Sequence, residues 1–408
     1  MQATITLACA LALLGAPHLL AQKLKVYVLA GQSNMEGHAK VSTFDHLGDD
    51  PATAPLLARM RNKDGRPVVR DDVWISYLTG DREQPAEGTG ALTAGFGARN
   101  DPKKDGGKIG PEFTFGIAMG DAHGEPVLLV KCAWGGTSLH TDWRPPSAGP
   151  FEFDARTLAR WEKEGKDLAA LRAEKAAATG RCYRATLAHV KAILADPKRV
   201  CPAYDPAQGW ELAGFVWFQG WNDMVDGSVY PDRDKEGGYA QYSECLAHLI
   251  RDVRKDLDAP ALPFVIGVMG VGGPIEPGDR ANKAQANFRA AMRAPAALAE
   301  FRDTVRTVET APFWDRELGA IADKQEEVRQ YAHLLRSKNP KHENAKGDLT
   351  EKEQQALVER RRKELISEQE AALFARGASN GGYHYLGCAK TFAQVGVAFA
   401  EALQSLKR

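Results

Sequence analysis

The 408-residue sequence has no excess of charge of either sign: lysine and arginine together number 53, and aspartate and glutamate also number 53. No net field therefore favours nucleic acid or an anionic membrane as a partner. Beyond the first 21 residues there is no apolar run long enough to cross a bilayer. Cysteine is scarce. After the leader only Cys132, Cys182, Cys201, Cys245 and Cys388 remain, an odd set with no Cys-x-x-Cys spacing. Zinc sites and thioredoxin-like redox chemistry are thereby disfavoured, and no metal or organic cofactor is expected. A Cys182 to Cys201 bridge in an oxidising compartment stays open. The glycine-rich stretch Gly270 to Gly278 lacks the Gly-Lys-Ser and Gly-x-Gly-x-x-Gly spacings, so a nucleotide is not indicated.

What is present is a hydrophobic content of 44%, ample for a core. Residues Ala3 to Ala21 are apolar and almost uncharged, are broken by Gly15-Ala16-Pro17, and are followed at once by Gln22-Lys23-Leu24-Lys25. This reads as a secretory signal peptide cut near Ala21, which predicts a secreted or periplasmic protein with residues 22–408 as a single domain.

Leu24 to Ala30 is a short apolar run rich in β-branched and aromatic residues, stopped by Gly31 and followed by Gln32-Ser33-Asn34-Met35. It reads as a buried strand. Ligands bind beyond the carboxyl ends of parallel strands, so Ser33 stands where a nucleophile belongs, although a serine there could also simply cap the next helix. Val73 to Leu78 is a possible short edge strand in a polar segment, Asp45 to Ala98. Gly110-Pro111-Glu112 opens a helix. Pro126 to Ala133 is a second buried strand, ending in Trp134-Gly135-Gly136-Thr137-Ser138, whose paired glycines can bring backbone N–H groups close to a ligand. Phe151 to Asp196 reads as two helices broken near Thr179-Gly180. Leu212 to Phe218 is a third strand delivering Gln219-Gly220-Trp221-Asn222-Asp223, Pro263 to Met269 a fourth, and Thr304 to Val308 a fifth, with helices at 239–257 and 281–293 between them. Five strands alternating with helices specify a parallel sheet covered on both faces. Residues 318–376 shift to a charged helical composition and read as an inserted hairpin. Asn380-Gly381-Gly382-Tyr383-His384 then precedes the last helix, Cys388 to Leu406.

Three of these blocks carry a resemblance. Gly31-Gln32-Ser33-Asn34-Met35, Gly220-x-Asn222-Asp223 and the turn holding His384 are similar to the motif blocks of SGNH hydrolases, in the version found in sialate O-acetylesterase-like proteins and carbohydrate esterase family six. The resemblance implies an α/β, flavodoxin-like three-layer sandwich on a five-stranded parallel sheet. It implies a serine esterase that removes acetyl groups from carbohydrate, with Ser33 as nucleophile and His384 as base. The oxyanion would be held by Ser33, Gly135, Gly136 and an amide, either Gln219 or Asn222, because Trp221 stands where the subfamily usually has glutamate. Gln32, Trp134, Trp221 and Trp314 are the expected substrate contacts. Family members carry Asp-x-x-His, and here Gly381 replaces the aspartate. Either the enzyme runs on a Ser-His pair, or Glu309 or Asp315, just past the fifth strand, orients the imidazole.

The rival reading in another class is a noncatalytic carbohydrate-binding protein on the same fold, with Trp134, Trp143, Trp221 and Trp314 stacking on sugars. Lipid or thioester hydrolysis would need an apolar acyl groove, which these tryptophans and glycines do not supply.

Overall fold

The computed structural model describes residues 23–80, 84–98, 107–276, 278–279 and 281–406, and the leader lies outside them. Among the described residues nine strands follow in chain order: β1 (Leu24–Gly31), β2 (Ala39–Lys40), β3 (Val73–Gly80), β4 (Pro85–Ala91), β5 (Lys108–Ile109), β6 (Val127–Ala133), β7 (Trp210–Phe218), β8 (Phe264–Val268) and β9 (Val305–Glu309). Seven form one sheet in the order β4-β3-β6-β1-β7-β8-β9, while β2 and β5 make a small antiparallel pair. The five strands expected from the sequence are β6, β1, β7, β8 and β9, all parallel, and their order is flavodoxin-like. Val73 to Leu78 is not an edge strand. β3 runs parallel to β6, and β4, antiparallel to β3, forms the edge.

Every residue of β6 and β8 is buried, and in β1 only Lys25 is partly exposed. That is why these strands read as continuous apolar runs, since a parallel sheet is covered on both faces. On one face the helices Glu112–Ala122 and Ala389–Ser405 pack together. A side chain at Gly116 would strike Leu129, and one at Gly214 would strike Leu403. On the other face lie Arg181–Ala195 and Ala240–Asp256, with Tyr242 fully buried. The segment 151–196 holds three helices, Ala155–Lys163, Leu168–Ala178 and Arg181–Ala195, because Asp167 opens an additional helix by accepting from the N–H groups of Ala169 and Ala170. Likewise the charged insertion has three helices, Arg316–Arg336, Glu351–Leu365 and Glu368–Gly377, the last two started by capping boxes at Thr350 and Ser367. All five cysteines from Cys132 to Cys388 are buried and none is in a disulfide, so the structure holds no Cys182 to Cys201 bridge.

One charged pair lies wholly inside. Lys131 on β6 donates to Glu112 (2.7 Å) and to the carbonyls of Glu36 (2.8 Å) and Phe96 (2.7 Å), while the Gly110 N–H donates to Glu112 (2.9 Å). Burial pushes the Lys131 ammonium down and the Glu112 carboxyl up, so the pair persists only because each partner is saturated with hydrogen bonds. Its structural effect is to clamp the turn that follows β1 onto β6.

Candidate active site

β1 and β7 are neighbours whose following connections leave in opposite directions, and the crevice beyond their carboxyl ends is the switch point where open α/β sheets bind ligands. Their close approach requires a glycine: a Cβ at Gly31 would lie 2.1 Å from the Phe218 carbonyl oxygen. Ser33 then begins a one-turn helix, Ser33–Glu36, whose N-cap is Gln32. Ser33 is 7% exposed, and its hydroxyl makes no hydrogen bond to the described residues. Its N–H, in the first turn of a helix, has no intrahelical acceptor.

From β6 the backbone of Gly135 reaches the serine. A Cβ there would lie 3.7 Å from Ser33 Cβ and 3.1 Å from a Glu36 carboxylate oxygen. Gly136, exposed and at φ +70°, turns the chain away. Trp134 is not available to a sugar: it is 1% exposed and packs on the equally buried Trp143 at 5.7 Å.

The two candidate amides after β7 differ sharply. Gln219 is buried, and its Nε2 faces three acceptors, Asp223 Oδ2 (2.6 Å), the Thr137 carbonyl (3.1 Å) and Gln32 Oε1 (3.2 Å). It has two hydrogens to give, so none is left over. Asn222 is half-buried, and its Oδ1 accepts from Gln32 Nε2 at 3.0 Å. That bond fixes which atom is oxygen and leaves Nδ2 with no partner among the described residues. Gln32 itself is 1% exposed and also accepts from the Gly220 N–H (2.9 Å). It is a brace between the β1 and β7 loops and not a substrate contact.

His384 lies in the turn Gly382–Gly387, where Tyr385 and Leu386 adopt left-handed backbone, φ +49° and +60°. Two such non-glycine residues in succession are strained, and surrounding structure must hold them. The Tyr385 ring is buried, and its hydroxyl meets Thr310 (2.6 Å) and the Gly270 N–H (2.7 Å). Asn34, next to Ser33, donates to the Tyr383 carbonyl (3.1 Å), which ties the serine's helix to the histidine's turn.

Asn380 supplies the partner of the imidazole. Its Oδ1 accepts from the Gly381 N–H (2.7 Å) and lies 3.0 Å from His384 Nδ1. An amide oxygen can only accept, so Nδ1 carries the proton and Nε2 the lone pair. The same amide's Nδ2 is 3.3 Å from His38 Nδ1, and the His38 ring stacks on His384 at 3.8 Å and 3°. Burial, then the nearby charge of Lys108, pushes the His384 pKa down to about 4, so it is neutral at physiological pH.

Neither expected carboxylate reaches this histidine. Glu309 is the last residue of β9 and is held by Arg293 in a two-pronged pair (2.6 and 2.7 Å). Asp315 caps the helix Arg316–Arg336 through the Leu318 N–H (3.0 Å) and accepts from His46 (2.8 Å). Trp314 is half-buried as a wedge against the backbone of Gly273 and Gly319, and Trp221 is half-buried beside Asn222. Asn380 and His38 are the contacts of His384 that motif reading missed. Asn380 could have been found as the polar residue one position ahead of the missing aspartate, while His38 left no signal.

His46, Asp315 and Cys388 place ligand atoms within 4.8 Å of one another, the arrangement a metal would need. Their chemistry does not suit one. The Lys390 ammonium lies 3.6 Å from Asp315, both His46 nitrogens face aspartates, and burial pushes the Cys388 thiol up to about 11. With the Arg376 to Asp49 pair (2.8 Å), the group anchors the helical insertion to the core.

Residues 23–297 match the family model described as carbohydrate esterase, sialic acid-specific acetylesterase. No curated protein sequence matches the chain. Among solved structures it is similar to a protein from Arabidopsis thaliana (17% identity, 71% of this chain and 86% of that one, TM-score 0.36). It is also similar to a carbohydrate acetylesterase from Xanthomonas citri (13% identity, 70% and 49%, TM-score 0.37) and to NanS (12% identity, 71% and 78%, TM-score 0.38). The family match runs from β1 past the helix that follows β8, covering Ser33, Gly135 and Asn222, while His384 lies beyond it. The chain belongs to the carbohydrate esterases of the sialic acid-specific acetylesterase family, and its activity is that of a carbohydrate O-acetylesterase.

Proposed function

We propose that the protein is an exported esterase that hydrolyses O-acetyl groups of carbohydrates, of acetylxylan or sialate type, through an acetyl-enzyme on Ser33. The observation that carries this reading is the tautomer of His384, whose Nε2 lone pair is left unengaged in a turn bonded to the serine's own helix. Nε2 takes the Ser33 proton as Oγ attacks the acetyl carbonyl. The carbonyl electrons collapse back, the sugar oxygen leaves with the proton from Nε2, and acetyl-Ser33 remains. Water then gives a proton to Nε2 as it attacks the same carbonyl, and on collapse the bond to Ser33 Oγ breaks, Oγ takes that proton back from Nε2, and acetate is released. The Ser33 N–H and Asn222 Nδ2 hold the oxyanion in both halves, with Gly135 leaving room for it. The apolar leader supports export.

Incubation with acetylated xylan and with O-acetylated sialosides, scored for released acetate, tests the reaction. Acid quench and mass spectrometry should find acetyl on the peptide containing Ser33. Sugar binding with no acetate release from any acetylated glycan would favour the noncatalytic reading instead. Within the esterase, Asn222→Ala is expected to lower kcat about a hundredfold with KM little changed, the usual cost of one oxyanion donor. Gln219→Ala should instead lower the unfolding temperature, because it unties Gln32, Thr137 and Asp223. A larger kcat loss in Gln219→Ala than in Asn222→Ala would reverse the assignment.

A further inference from the structure

We propose that Tyr383 and Trp221 form an aromatic platform on which the acetylated pyranose stacks while its ester reaches Ser33. The inference rests on the esterase reading above and names the part of the site that recognises the sugar. Tyr383 is 49% exposed, one of five large hydrophobic side chains left out of the core among the described residues. Its position separates it from the other four. It directly precedes His384, with the two rings 4.4 Å apart at 65°, and its centroid is 6.0 Å from Trp221, at 43°. Trp221 in turn directly precedes Asn222. The two rings therefore meet at an angle with the base beside one and the backbone of Asn222 continuing directly from the other.

The platform is fixed in place. The Tyr383 carbonyl is held by Asn34, and the strained Tyr385–Leu386 pair follows at once. The ring also lies across Gly381: a Cβ there would come within 2.9 Å of Tyr383 Cε1. Position 381, to which the Asp-x-x-His resemblance would assign an aspartate, is thus a glycine over which this ring rests, and any larger residue would displace it. The absence of an acid at 381 and the presence of an aromatic at 383 are one structural choice. A tyrosine ring offers an apolar face for sugar C–H groups and a hydroxyl for a sugar oxygen. Pockets that bind small molecules join such surfaces to a few placed polar groups, as here.

The test compares a sugar ester with an ester that has no ring. Hydrolysis of O-acetylated xylo-oligosaccharides and of O-acetylneuraminic acid is measured beside that of ethyl acetate in a pH-stat, for wild type, Tyr383→Ala, Tyr383→Phe, Trp221→Ala and Gly381→Ala. For the better sugar, Tyr383→Ala and Trp221→Ala should lower kcat/KM at least tenfold more than for ethyl acetate, mainly through KM. Tyr383→Phe should keep most of the preference, and Gly381→Ala should lose it. Equal losses on both kinds of ester would make Tyr383 a support for His384 and overturn the platform, as would no loss at all. If wild type hydrolyses neither ester, the esterase reading fails. Quenching of tryptophan fluorescence by the deacetylated sugars then decides the platform, which is overturned if Tyr383→Ala binds them as wild type does.

Discussion

Ser33→Ala is expected to reduce kcat on acetyl esters roughly ten-thousandfold or more, the scale on which a nucleophile's removal disables a serine hydrolase. Thermal unfolding should be essentially unchanged. The alternative role for this serine was to cap the following helix, and the geometry removes it: the cap is Gln32, and Ser33 is already inside the helix. Its hydroxyl holds nothing else together, so deleting it breaks no bond to the described residues. Although Ser33 is buried, replacing its unbonded hydroxyl by hydrogen leaves no partner unsatisfied and opens little space, so none of the mechanisms that cost several kcal/mol applies. Residual turnover should come from the oxyanion donors and from substrate positioning, which the substitution leaves in place. Turnover near wild type, or a cooperative unfolding transition shifted by many degrees, would remove Ser33 from the centre of the site.

The sequence made some parts of this molecule plain and concealed others for definite reasons. β1, β6, β7 and β8 announce themselves because a strand buried on both faces is apolar along most of its length, with only Lys25, Lys131 and the exposed start of β7 interrupting the runs. β4, Pro-Ala-Glu-Gly-Thr-Gly-Ala, has neither that run nor an alternation, because at the sheet edge it is held to β3 by the backbone ladder and one Ser76 to Glu87 hydrogen bond (2.6 Å) and not by apolar packing of its own. Missing β4 is what made β3 look like the edge. The turns that hold Ser33, Asn222 and His384 are legible because each demands particular residues around it. Trp134 and Gln32 were misread for a shared reason: standing next to a motif glycine or serine says nothing about which way a side chain points, and both point inward. Glu309 and Asp315 stand just past the right strand, but Arg293 and His46 hold them elsewhere. No pattern along the chain reveals such partners, since each pair is made across the fold.

The identity of the missing acid leads to the second large effect. In a serine triad, replacing aspartate by asparagine is costly because the amide can select the wrong imidazole tautomer. Here the Gly381 N–H holds the Asn380 oxygen toward Nδ1, so the tautomer is correct and only the negative charge is lacking. With no carboxylate to stabilise imidazolium, burial dominates and the His384 pKa is pushed down to about 4. A general base works unprotonated, so a lowered pKa extends activity to more acid solution: kcat/KM should rise through about pH 4 and stay level to neutrality. Asn380→Asp places a charge against the Nδ1 proton. It should move that acid limb up by about a unit or more and raise the plateau kcat roughly tenfold, because imidazolium forms in the transition state. His38 would then have to donate to the carboxylate where it now accepts from the amide. Asn380→Ala, which keeps neither charge nor orientation, should lower kcat about a hundredfold, with the acid limb still near 4. An Asn380→Asp enzyme with an unmoved limb and unchanged kcat would mean that His384 is oriented by something other than residue 380, and a wild-type limb near the ordinary histidine value would mean that the base is not buried as described.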